Sequence, residues 1–498
     1  MNTRMPFAIT ASCGAERHST VSSFLPGPRW PIALITTASG NAAIWFGLGD
    51  ADADVRIALC VFLLAIICWS VLRLPATPVA LVAGLSLVVT GVVPVQTFYL
   101  SLGHHLIWLL FAAFVIGSAL SKAGLARRFV LAMTSRSGTV RELFLVIGFA
   151  IAATAFLVPS TTGRAALLVP VYVGMAATID DLRINRALAL LFPTAVLLSA
   201  GASMIGAGAH LVAVDFITYA GTEVSFLYWA VLGAPFAALS LALATLIILK
   251  VFLTPEERTR KLVMAQPDTS PLSGEQVYVL AVSAATVAFW LTQQWHKLDL
   301  AIGALIGAVA ITVRPLSGIS LKDAVNEVNW NLLVFLAITL MLGHVLIDTG
   351  AASLITSKLL QLASGTKGLT PAAAVMIAAI TAMAAHLVIT SRTARVAVLI
   401  PSLALPLSAF GVNPAALIFL MTMGSGFCQT MYVSAKPVAL YAGLDVATYD
   451  DRDLVRLSAW LLPGMIGLLL LFSFVVWPLL GLDLYPKVSG SAADGSGA

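Results

Sequence analysis

The feature that most limits what this chain can fold into is a succession of apolar stretches, each about as long as a bilayer is thick, running from Trp30 almost to the C-terminus. A hydrocarbon core of about 30 Å takes roughly 20 apolar residues in a helix, which satisfies its own backbone polar groups. The chain therefore reads as an all-α polytopic membrane protein. Of its 498 residues, 59% are hydrophobic and 10% charged, so no segment remains for a large water-soluble domain. The net charge of +5 comes from Lys and Arg in loops, as the positive-inside rule requires, and gives no reason to expect nucleic acid. Cys13, Cys60, Cys68 and Cys428 are spaced for neither a disulfide framework nor a metal site, and no cofactor is expected.

Residues 1–29 read as a polar cytoplasmic tail without a signal peptide, and 483–498 as a flexible tail. Between them, 30–55 holds an extra first span, 56–253 a first repeat, 254–276 a cytoplasmic linker and 277–482 a second repeat, with about 11 transmembrane helices in all. Lys122, Arg127, Arg128, Arg136 and Arg141 mark the segment after the fourth span as cytoplasmic. Counting back puts the N-terminus inside, in what is expected to be the cell's inner (plasma) membrane. Within the basic segment, Phe129 to Met133 reads as a short helix lying at the interface rather than crossing.

The stretch FLVPSTTGRAALLVP interrupts an apolar run with Pro159, three hydroxyl residues and Gly163, then resumes at Arg164. Such punctuation ends one helix and starts another, so 143–178 is predicted to be a re-entrant hairpin. Gly201, Gly206 and Gly208 then sit at the centre of a span at 187–221, the pattern of a helix broken at mid-membrane.

The second half repeats this order. STTGRAALLVP, from Ser160 to Pro170, aligns without a gap to SRTARVAVLIP, from Ser391 to Pro401, and Arg164 and Arg395 coincide. Upstream, GSALSKAG (117–124) matches GHVLIDTG (343–350) in its glycines. The second hairpin is predicted at 371–410 and the second broken helix at 412–446. Span counting puts the hairpins on opposite faces, so the repeats are inverted, and paired broken elements in inverted halves point to a substrate site near the midplane.

These motifs resemble the divalent anion/sodium symporter family, over roughly residues 30–482. The resemblance implies a scaffold and a transport domain in each protomer, elevator-type movement, a homodimer and a small anionic substrate. In that family the hairpin tips read Ser-Asn-Thr; here they read Ser160-Thr161-Thr162 and Ser391-Arg392-Thr393, without the middle Asn. The tip PSTTGRA is instead similar to sodium-independent dicarboxylate exchangers.

An Arg at the centre of a spanning helix costs about 2.5–3.5 kcal/mol on insertion scales, and here the cost falls at equivalent places in both halves. Arg164 and Arg395 each begin a helix whose N–H groups favour anions, which suits carboxylate or sulfate oxygens. The alternative is that each arginine snorkels or pairs with a helix C-terminus. The substrate site is expected to comprise Ser160, Thr161, Thr162, Arg164, Ser391, Arg392, Thr393, Arg395, Gly206, Gly208, His210, Ser434 and Lys436, with no metal. The tip hydroxyls are either substrate donors or hairpin caps. Lys436 either takes the place of a sodium ion or pairs with Asp348 or Asp445, and His210 is either functional or a core histidine. Asp215, His344 and His386 are weaker, proton-linked candidates.

The resulting expectation is a secondary transporter of small divalent anions, dicarboxylate-type before sulfate, working by exchange without sodium. A sodium-coupled symporter is the alternative. An intramembrane lipid-modifying enzyme is a distant one, because no HExxH or paired-carboxylate pattern occurs.

Overall fold

A computed structural model describes residues 29–135, 137–262, 270–364 and 369–486. The first 28 residues, Arg136, residues 263–269 of the central linker, 365–368 and the last 12 residues lie outside the described part, and with them most of both expected tails.

Among the described residues the regular structure is helical, with one isolated bridge between Thr139 and Lys261. Eight helices among the described residues are long and apolar enough to cross a membrane. Shorter apolar helices at Ala76–Val89, Leu300–Ile311, Pro371–Leu387 and Pro414–Gly424 accompany them. Arg29–Gly47 packs on Ala53–Ser70 ahead of the repeats and is not one of the eight.

Two bundles share the chain. A frame bundle takes Ala53–Ser70, Ala76–Val89 and His105–Lys122 from the first half and Gly274–Leu291, Leu300–Ile311 and Trp330–Asp348 from the second. The halves interlock: His105–Lys122 packs against Leu300–Ile311, and its counterpart Trp330–Asp348 against Ala76–Val89. In each half a short helix follows, Leu125–Thr134 or Ala351–Ser364, entered through Gly124 at φ +68° or Gly350 at φ +84°. Side chains rarely adopt that left-handed backbone, which is why the two matched motifs end in glycine.

A hairpin bundle holds the rest. The first hairpin pairs Val140–Ala153 with Thr161–Ile179, and the second pairs Pro371–Ala384 with Arg392–Leu399, which continues through a π-turn to Ser408. Thr139 and Thr370 cap the entering arms by accepting backbone N–H bonds from Glu142 and Ala373. The broken helices are Leu182–Ser199 with Gly208–Tyr219, and Pro414–Gly424 with Lys436–Ala442. Here too the halves cross, with Gly208–Tyr219 packed on Arg392–Leu399 and Lys436–Ala442 on Thr161–Ile179.

Burial separates the roles of these helices. The best apolar window of Leu182–Ala202 is 94% buried, against 22% for Gly274–Leu291, so the broken helix is wrapped in protein while the frame helix presents its apolar face to lipid. Two matched glycines let the bundles meet. A Cβ on Gly117 would lie 2.9 Å from Pro159 Cδ at the first hairpin tip, and one on Gly343 would lie 2.2 Å from the Phe216 ring.

Candidate anion site

Each hairpin turns on a serine. Ser160, held at φ +80°, accepts the backbone N–H of Gly163, and Ser391, at φ −75°, accepts that of Ala394. Both serines act as N-caps. The hydroxyls of Thr161, Thr162 and Thr393 have no hydrogen-bond partner among the described residues, which leaves them free for a ligand. Thr161 and Thr162 are half-buried, and Thr393 is buried close to Gly208.

Arg164 is 1% exposed, and all three of its guanidinium nitrogens donate to protein. Nε donates to Thr154 Oγ1 at 3.2 Å, Nη1 to the Val196 carbonyl at 3.3 Å, and Nη2 to the Ile151 carbonyl at 2.9 Å and Ser199 Oγ at 2.8 Å. These acceptors lie at the C-terminal ends of Val140–Ala153 and Leu182–Ser199, where carbonyls lack helical partners. Arg395, fully buried, does the same in the second half. It donates through Nη1 to the carbonyls of Ile389 at 2.8 Å and Thr390 at 3.4 Å and through Nη2 to that of Ser425 at 2.9 Å, while its Nε is buried without a partner. The matched arginines thus bind helix ends to hairpin tips, which is the capping alternative left open by the sequence.

Arg392 is less buried. Its Nε donates to Ser425 Oγ at 3.1 Å and its Nη2 to the Thr422 carbonyl at 3.3 Å, and its Nη1, like Nε of Arg395, is buried without a partner. Among the described residues the ion pairs involve Arg183, Arg186, Arg260, His104 and His344, and none reaches Arg164, Arg392 or Arg395. Three guanidinium groups therefore sit at the hairpin tips with no carboxylate to balance them. Buried charge without a counter-ion is costly, and a bound anion offsets it.

The two breaks share one backbone. Ser203 and Met431 are extended, Met204–Gly206 and Tyr432–Ser434 make a 3-10 turn, and Ala207 and Ala435 are extended again at φ −157° and −156°. This register makes Gly206 the counterpart of Ser434, and Gly208 that of Lys436. A Cβ on Gly206 would stand 2.3 Å from the Ala200 carbonyl oxygen, and one on Gly208 would stand 3.2 Å from Thr393 Oγ1. Gly206→Ala is therefore expected to destabilise the protein by about 1–3 kcal/mol through overpacking against backbone, read as a lower unfolding temperature in detergent.

Ser434 Oγ is buried and accepts the Met431 N–H at 3.1 Å. Lys436 is exposed and forms no ion pair among the described residues, with Asp348 engaged instead by the Tyr219 hydroxyl. His210 is fully buried, with Nδ1 2.9 Å from the Ser203 carbonyl, Nε2 unpartnered and its ring 5.3 Å from that of Trp229. His386 uses both ring nitrogens, one on the Met383 carbonyl and one on Thr430 Oγ1, and so ties the second hairpin to the second break. Asp215 and His344 lie apart from the tips and touch each other.

Sequence reading missed Thr154, Ser199, Thr422 and Ser425, the hydroxyl residues that hold the arginines. Their only signal was a lone hydroxyl at the end of an apolar run, which most membrane helices also carry.

Residues 36–482 match the family described as the sodium:sulfate symporter transmembrane region. The chain belongs to that family. A membrane protein of Cupriavidus necator is 26% identical over 385 residues, 74% of each chain. The citrate/succinate antiporter of Escherichia coli K12 is 23% identical over 76% of this chain and 78% of its own. The sodium-dependent dicarboxylate transporter SdcS of Staphylococcus saprophyticus is 22% identical over 77% of this chain and 78% of its own. Among solved structures, the YdaH transporter of Alcanivorax borkumensis matches with a TM-score of 0.53 and 15% identity, over 76% of this chain and 86% of that one, a likeness of fold. Membership of the sodium:sulfate symporter family makes the chain an integral membrane transporter and not a lipid-modifying enzyme.

Proposed function

We propose that this member of the sodium:sulfate symporter family exchanges small dianions, dicarboxylates before sulfate, without sodium. The observation that carries this reading is the set of three guanidinium groups at the hairpin tips, two buried and one half-buried, that no carboxylate among the described residues neutralises. Arg164 and Arg395 cap the C-terminal ends of helices. The N-terminal ends of Thr161–Ile179, Arg392–Leu399 and Gly208–Tyr219 are left facing the tips, together with Arg392 Nη1 and the free hydroxyls of Thr161, Thr162 and Thr393. N-terminal N–H groups and unpaired donors suit the two charges of a dicarboxylate.

Lys436 supports the absence of sodium, because it stands in the second break where the first has Gly208. A tethered ammonium there repels a second cation. An empty carrier with this fixed charge reorients at a penalty that a bound dianion removes, which favours exchange over net uptake. The relatives' names divide on this point, one an antiporter and one sodium-dependent.

We read the movement as elevator-like, the hairpin bundle sliding against the frame bundle, in a homodimer with the N-terminus and the basic segments inside. The Thr139–Lys261 bridge supports this orientation, since it joins the segment carrying Arg127 and Arg128 to the one carrying Arg258 and Arg260 on one face.

Counterflow in liposomes tests the reading. Succinate, citrate and sulfate are offered with and without sodium, to wild type and to Lys436→Gln. Wild type is expected to exchange succinate equally in sodium and in potassium. Uptake that requires sodium, or Lys436→Gln leaving exchange unaltered, would reverse the coupling assignment.

A further inference from the structure

Away from the tips, three titratable side chains meet where the bundles touch. Asp215 lies on Gly208–Tyr219 in the hairpin bundle and is 8% exposed. Its Oδ1 is 3.2 Å from Nε2 of His104 at the head of His105–Lys122, and its Oδ2 is 2.7 Å from Nε2 of His344 on Trp330–Asp348. One carboxylate of the hairpin bundle thus joins two imidazoles of the frame bundle. Among the described residues no group of three or more His, Cys, Asp or Glu side chains is placed to hold a metal ion.

The two imidazoles are not equivalent. His104 Nδ1 accepts the Leu106 backbone N–H at 3.4 Å, so His104 is the neutral tautomer with its proton on Nε2, facing Asp215. His344 Nδ1 has no partner among the described residues, and the side chain keeps 31% of its exposure. His344 is therefore the ring with a vacant basic nitrogen that water reaches.

The surrounding charges belong to the same corner. His105 stacks on His104 at 4.6 Å and lies near Asp299, which caps Leu300–Ile311. The Tyr219 ring lies 5.1 Å from that of His344, and its hydroxyl donates to Asp348 at 2.7 Å. Arg392 and Arg395, on the hairpin helix packed against Gly208–Tyr219, direct their engaged nitrogens to Thr422, Ser425, Ile389 and Thr390 and not to Asp215. Around His344 the fixed charge is thus acidic.

We propose that His104, Asp215 and His344 form a proton-binding site that couples bundle position to pH, with Nδ1 of His344 taking the proton. A proton from water adds to Nδ1 while Nε2–H stays on Asp215, and the triad passes from one net negative charge to none. The hydrogen bond becomes an ion pair across the bundle boundary. Moving Asp215 away would strand a half-buried imidazolium, so the proton must leave before the hairpin bundle departs. Protons therefore favour the arrangement seen here. They are a second ligand, bound apart from the anion.

The test compares wild type, His344→Gln and His104→Gln between about pH 5.5 and pH 8. An imidazole of ordinary basicity is about 3% protonated at the upper limit and about 90% at the lower. Wild-type exchange of sulfate or succinate is expected to fall about tenfold as pH is lowered from about 8 to about 5.5. His344→Gln, which keeps a donor toward Asp215 but has no basic nitrogen, is expected to follow a flat profile, while His104→Gln keeps the wild-type one. A wild-type profile in His344→Gln, or a flat one in wild type, overturns the proposal. This transport arm rests on the anion-exchange reading. Nitrogen NMR of histidine-labelled protein, with His344→Gln for assignment, does not: His344 neutral throughout would sink the proton site even if exchange is intact, and anion transport that fails beside a titrating His344 would sink only the exchange.

Discussion

Arg164→Ala is expected to lower the protein's stability by about 3 kcal/mol or more, and so to be read first as a loss of folded protein. The substitution removes four hydrogen bonds from a charged donor, leaving the buried Val196 carbonyl and Ser199 hydroxyl without that partner and the Ile151 carbonyl with Thr154 alone. Arg164→Lys is expected to recover little, because one ammonium does not span acceptors on two helices as a planar guanidinium does. Arg395→Ala is expected to behave alike, through Ile389, Thr390 and Ser425. Thermal unfolding in detergent checks both variants. An Arg164→Ala protein as stable as wild type but unable to bind anions would mean that the guanidinium faces substrate after all.

Arg392→Ala is expected to do the reverse. Two of its nitrogens hold Ser425 and the Thr422 carbonyl, so some stability is lost, but Nη1 is a buried donor with nothing to bind. A hydrogen bond from a charged donor to an anion is worth about 1.5–3 kcal/mol, or about 10- to 150-fold in affinity. Counterflow by Arg392→Ala is therefore expected to show an apparent affinity for succinate lower by that factor, in protein that still unfolds cooperatively. Unchanged affinity would remove Arg392 from the site. Arg392→Lys separates charge from geometry: it retains the cation, and recovery of half or more of the affinity would mean that charge alone matters at this tip.

The first hairpin tip was legible because Pro159, Ser160 and Gly163 interrupt an otherwise unbroken apolar run, and few other folds of such a segment exist in a membrane. The pairing of Arg164 with Arg395 was legible too, since the gapless repeat put them in register. Which guanidinium nitrogens find partners was not. All three arginines look alike in sequence, as single guanidinium groups in apolar surroundings, and only the positions of Thr154 and Ser199 around Arg164 separate its three engaged nitrogens from the orphaned ones on Arg392 and Arg395. The equivalence of Gly208 and Lys436 was likewise hidden, because the two breaks share backbone conformation and few residues.

His104 marks the limit of pattern reading most clearly. It stands beside His105 at the start of a span, and nothing in its neighbourhood announces a carboxylate more than a hundred residues away. Asp215 and His344 drew attention individually as polar residues in apolar runs, yet nothing in the sequence brought them together.

By itself the sequence determined the membrane, the helices, the duplicated design and the positions of the helix breaks. Hydrophobic length and helix punctuation are local properties, and a bilayer admits few ways to satisfy them. Only the tertiary structure decided which arginine is spent on helix ends, which hydroxyls are free, and which acid meets which imidazole. Those outcomes depend on hydrogen-bond geometry over a few ångströms between segments distant in the chain, and local residue pattern carries no record of it.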